Sequence, residues 1–70
     1  MTYFVVLSAS GIPRRVERVA SLEEASEACL TFIEKNDLGS GTWSGGKVVD
    51  ERDVVVARIS YNGRIWPVQL

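Results

Sequence analysis

The chain has 70 residues, 46% of them hydrophobic and 24% charged, with a formal net charge of −1 and a pI near 5.3. This is the balance of an ordinary globular domain and excludes a disordered, collagen-like or disulfide-stapled chain. One compact domain over residues 1–70 is expected, and so short a chain buries only about 60% of the surface it exposes when unfolded, which makes added stability from a partner worth considering.

From Thr2 to Ala9 the run TYFVVLSA is dense in β-branched and aromatic residues and too short for a buried helix, so it reads as a strand. Ser10-Gly11-Ile12-Pro13 supplies turn residues, and Arg14 to Ala20 alternates charge with valine, giving a second strand and a first hairpin. Ser21-Leu22-Glu23-Glu24 has the S-x-x-E form of a capping box and opens a helix. Leu22, Ala25, Cys29, Phe32 and Ile33 recur at spacings of three and four, so one apolar stripe faces a core. The acids Glu23, Glu24 and Glu27 complement the positive end of the helix, and Asn36 to Gly39 tolerates a terminating left-handed turn, which places the end near Leu38.

Residues 39–46 contain four glycines around Trp43. On paper this is the most flexible segment, yet a free loop seldom carries a tryptophan, and a flexible loop or a bulged strand is the expected form. Lys47-Val48-Val49 reads as a strand, Asp50 to Asp53 as a turn, and Val54 to Tyr61 as the strongest strand. Asn62-Gly63 suits a two-residue type I′ hairpin turn, which demands positive φ at both positions. That turn would set Tyr61 opposite Arg64, Ile59 opposite Trp66 and Ala57 opposite Val68. Val55, Ala57, Ile59, Tyr61, Arg64, Trp66 and Val68 would then share the core face, leaving Val54, Val56, Arg58, Ser60, Ile65 and Pro67 on the other. Pro67 cannot donate to a ladder, which puts the last strand at an edge or near its end. The expected class is α+β, in the order strand-strand-helix-strand-strand-strand, with one helix on one face of a largely antiparallel sheet. The element order is similar to that of the β-grasp arrangement.

The chain has no histidine and one cysteine, which removes Ser-His and Cys-His nucleophile systems and the commonest zinc ligand. Cys29 lies in the apolar stripe, where burial suppresses thiolate reactivity, so a structural role is expected. The acidic groups Glu23-Glu24-Glu27 and Asp50-Glu51-Asp53 read as solvated, and the second lacks the ligand spacing of a calcium loop. Gly41 to Val48 misses the P-loop pattern, since Lys47 is followed by valine and a strand. No catalytic residue, metal site or cofactor is therefore expected, and the chain reads as a non-enzymatic binding module. Tyr3 to Leu7 is too short for a membrane span and has no basic region before it, and a lone cysteine suits a reducing compartment, so a cytoplasmic protein is expected.

Charge is unevenly spread. Residues 21–38 carry five acids and one base, a net of −4, whereas the remainder carries seven bases and four acids, a net of +3. The expected contact surface is the helix-free sheet face, with Val54, Val56, Arg58 and Ile65 as its interaction residues and a homodimer or another protein as partner. The alternative is a nucleic-acid interface formed by Arg14, Arg15, Arg18, Arg58 and Arg64, with Trp43 or Tyr61 offering a stacking surface. A small-molecule pocket around Trp43 and the glycines is a third reading.

Overall fold

The computed structural model describes residues 2–68. Two strands, β1 (Tyr3–Ala9) and β2 (Ile12–Val19), precede a helix, α1 (Leu22–Lys35), and three strands follow: β3 (Lys47–Val49), β4 (Val55–Ile59) and β5 (Ile65–Pro67). The order expected from sequence is the order found. The strands form a five-stranded sheet in the order β2-β1-β3-β4-β5, with every ladder antiparallel. Because β2 and β3 both run against β1, the helix carries the chain across β1 from one side to the other.

The helix forms where its capping signal predicts. Ser21 Oγ accepts from the Glu24 N–H at 3.1 Å, satisfying one of the unpaired amides of the first turn. It ends earlier than the sequence suggests, in a Schellman arrangement: Asp37 turns left-handed at φ 51°, its N–H donates to Glu34 O, and Leu38 N–H donates to Ile33 O. Leu38 thus lies beyond the last helical turn.

Ala25, Cys29 and Ile33 form the buried stripe of α1. Ala25 and Cys29 meet Val5, Leu7, Val19, Val48, Ala57 and Ile59 from the sheet in the main core, against which Leu22, Phe32 and Ile65 also pack. Short side chains dominate the helix contact: Ala25, Cys29 and Ala57 are completely buried. Alternation along each strand then sends Phe4, Val6 and Val49 to the opposite face.

The glycine-rich segment is pinned along β1. Ser10 N–H donates to Thr42 O, Ser44 N–H to Ser8 O, and Gly46 N–H to Val6 O at 2.7 Å, while Trp43 bridges Ala9. The Trp43 ring packs 6.0 Å from Phe32, and its Nε1 donates to Ile59 O at 3.4 Å. Gly46 sits at φ 100°, where a Cβ would overlap the Ile59 carbonyl, so the position requires glycine on two counts. This is an irregular extension of β3 with its tryptophan plugged into the fold, and it leads into a strand, unlike a P-loop, which leads into a helix.

Two expectations need correction. The β4–β5 turn is a three-residue loop: Gly63 N–H donates to Ser60 O, Ser60 N–H donates to Arg64 O, and only Gly63 (φ 82°) takes positive φ. This is the type I turn plus bulge geometry, reinforced by Arg64 N–H donating to Ser60 Oγ. The register is consequently displaced by one residue, pairing Ile59 with Ile65, Arg58 with Trp66 and Ala57 with Pro67. A one-residue slip exchanges the faces of a whole strand. Ile65 therefore packs on the helix side and Trp66 on the open side, the reverse of the sequence reading. Second, Ile12 and Pro13 belong to β2, and Val54 lies before β4.

The β3–β4 turn repeats the same hydrogen-bond pattern. Asp53 N–H donates to Asp50 O, Asp50 N–H donates to Val54 O, and Asp53 takes the left-handed position at φ 64°. Asp50 Oδ1 accepts from the N–H groups of Arg52 and Val54 at 2.8 and 3.0 Å.

Candidate functional site

The helix-free face carries a row of side chains from β2 to β5. Val16 opposes Val6, Lys47 opposes Arg58, and Arg58 opposes Trp66. Val6 and Lys47 line the same surface hollows, which joins the two parts of the row. Placing Lys47 directly opposite Arg58 is unfavourable on its own, since like charges facing each other across a ladder repel. A sheet selected for stability alone gains by breaking that pair.

Two hollows flank the row. One, of about 280 Å³, is lined by Val6, Ser8, Arg14, Ser44, Gly45, Lys47 and Arg58. Three cations thus surround two hydroxyls, which are themselves joined by a Ser44 Oγ to Ser8 Oγ hydrogen bond of 3.2 Å. Cations and hydroxyl donors around a concave backbone suit an oxyanion such as phosphate. The other, of about 220 Å³, is floored by Phe4, Val6, Val16 and Val49 and runs into Asp50, Glu51 and Asp53. On the strand positions of this face Arg14, Arg18, Lys47 and Arg58 are the charged residues among those described, and the acids stand at the β3–β4 turn.

At the β5 end, Trp66 is 52% exposed, and the Arg64 guanidinium carbon lies 4.4 Å from its ring centroid. That contact is a cation–π pair. The two tryptophans thus have opposite situations, Trp43 wedged between helix and sheet and Trp66 presented outward beside Arg58.

Of the four residues expected to form the interaction surface, Arg58 stands exposed on the open face. Ile65 and Val56 are half-buried and pack against the helix-side core, Val56 from a bulge in β4. Val54 is held in the β3–β4 turn. Of the arginines expected for nucleic-acid binding, Arg14, Arg18 and Arg58 share the open face and Arg64 adjoins it through Trp66. Arg15 points the other way, paired with the buried Leu7 and beside Phe32 and Lys35. Tyr61 is committed to the fold, its hydroxyl donating to Leu38 O at 3.0 Å, as is Trp43. Lys47 and Trp66 were overlooked as site residues. The sequence places Lys47 at the start of a strand without showing which face it takes, and a two-residue turn at Asn62-Gly63 would send Trp66 inward.

Other chemistry is withdrawn from solvent. Cys29 is fully buried, and burial first, with the Glu17 charge second, pushes its thiol up to about 12. The Asp50 carboxylate is engaged by its own turn. Among the described residues no cluster of acids and cysteine is arranged to hold a metal ion, and no helix is long and apolar enough to cross a membrane. No family model matches the chain, and no curated protein or solved structure matches it at a significant level.

Proposed function

We propose that this protein is a non-enzymatic binding module that holds a nucleic acid on the helix-free face of its sheet. The observation that carries the reading is the opposed pair of Lys47 and Arg58 at the centre of a face whose strand positions carry cations and no acid among the described residues. A polyanion relieves that repulsion and gains from displacing its own counterions. The acidic helix lies on the other side of the sheet, so an approaching polyanion is guided toward one face even though the whole chain is near neutral.

The same face also supports a second reading, a homodimer. Its apolar hollow of Phe4, Val6, Val16 and Val49 ends in Asp50, Glu51 and Asp53, so a second copy offers acids to the cations. Against it, β3 is the middle strand, and a two-fold contact centred there brings Lys47 close to its own copy. The edges are poor sites for strand addition, since β2 carries Pro13, Arg14, Arg15, Glu17 and Arg18 and β5 ends in Pro67.

Fluorescence polarisation with labelled oligonucleotides over a salt series tests the proposal. Binding should weaken steeply with salt, and Lys47→Ala or Arg58→Ala should each lower the salt slope by about one. Absence of binding at low salt rejects it. A concentration-dependent dimer in light scattering that Val16→Asp abolishes would favour the second reading.

A further inference from the structure

Resting on that reading of the face, we infer that Trp66 is its base-stacking residue and that the ligand is single-stranded. The first support is exposure without a packing task. Trp43 fills space against Phe32 and bonds the Ile59 carbonyl, whereas Trp66 is 52% exposed on a sheet face that no helix or strand covers among the described residues. An indole left in water is costly for the fold and useful to a ligand with a π-face.

The second support is the position of the charges. Trp66 lies directly across from Arg58, which lies directly across from Lys47. Two strand spacings separate Lys47 from Trp66, roughly 10 Å, so a phosphate held by Arg14, Lys47 and Arg58 leaves its attached base within reach of the indole. The Arg64 guanidinium, 4.4 Å from the ring centroid, limits how the ring can turn and adds a planar cation to the stack.

Together these features fit an unpaired strand better than a duplex. The bases of a duplex are already stacked on one another, and an aromatic residue on an open sheet reads bases that are splayed out. Ser8 and Ser44 at the phosphate hollow add donors without base selectivity, so the expected preference is for strand state over sequence.

The test compares three probes of equal length: a labelled single-stranded oligonucleotide, the same sequence as a duplex, and a strand with abasic sites. Wild type should bind the first about tenfold tighter than the abasic strand, matching one stacked base. Trp66→Ala should lose that factor for the single strand, bind the abasic strand as wild type does, and keep the salt slope. Trp66→Phe should recover most of the loss. Thermal unfolding of each variant near the wild-type temperature confirms that the exposed site was altered without harming the fold. Equal binding of all three probes, or a Trp66→Ala variant that binds the single strand normally, overturns the inference while leaving a phosphate-reading face intact. Failure of every probe to bind overturns the nucleic-acid reading itself.

Discussion

The two faces of the sheet are made by the same strands, yet they solve burial differently. On the helix side Val5, Leu7, Val48, Ala57 and Ile59 are covered by a second layer, α1. On the other side Val6 and Val49 are each only 8% exposed, although no helix or strand lies over them among the described residues; their neighbours there include Phe4, Val16 and the long side chains of Arg14 and Lys47. Cationic side chains can cover apolar groups with their stems while keeping the charge in water. Low accessibility is therefore shared by both faces, and what separates them is the kind of atom that provides the cover.

The sharpest way to break this comparison is by truncation. Leu7→Ala removes a 2% exposed side chain beneath the helix and should cost about 3 kcal/mol in urea unfolding. Val16→Ala on the open face, where the side chain is 53% exposed, should cost less than about 0.5 kcal/mol. Equal losses would mean that the open face is as tightly integrated as the core.

An effect confined to alkaline pH belongs to Cys29, and only to the helix side. Its folded-state value of about 12 lies above the ordinary thiol value of 9.0. The folded protein thus holds its proton at pH values where the unfolded chain has lost it. The contribution to stability is fully present below about pH 9 and declines as pH rises toward about 12. Comparing alkaline unfolding of wild type and Cys29→Ala isolates it, and parallel curves would show the thiol to be wetter than its burial implies.

The smallest change in stability should come from Lys47→Met, which keeps an apolar stem over Val6 and Val49 and removes only the charge, and its sign is the informative part. Removing the like-charged pair should raise stability by a few tenths of a kcal/mol, while oligonucleotide affinity falls. A variant that loses both would place Lys47 in the service of the fold.

Much of the fold was legible in the chain. The S-x-x-E signal at Ser21 and the stripe of Leu22, Ala25, Cys29, Phe32 and Ile33 define the helix through local rules, and the runs around Val5 and Ala57 define strands the same way. The site was less legible because it depends on one turn. Asn62-Gly63 fits a two-residue loop and a three-residue loop alike, and the choice is made by distant groups: Ser26 Oγ donates to Gly63 O, Leu30 packs against Gly63, and the Tyr61 hydroxyl reaches Leu38 O. None of these contacts is local in sequence. From that one-residue difference follow the inward turn of Ile65 and the outward turn of Trp66, and with them the composition of the whole open face. The charge asymmetry, by contrast, needed no register and was readable directly.

The route of the chain through the sheet bears on how the molecule assembles in time. Among the described ladders, β1 with β2, β3 with β4 and β4 with β5 join consecutive strands, and only β1 with β3 joins distant ones. Hairpins between consecutive strands close in microseconds, whereas bringing Val5 to Val48 requires closing the long intervening segment first. This topology leads us to expect two quick local events, a hairpin and a meander, and a slower zipping along a single seam, which φ-values near zero at Val48 and higher within the hairpins would check. The helix belongs to that seam because its core residues touch strands from both halves, so docking of α1 and joining of β1 to β3 are one kinetic step.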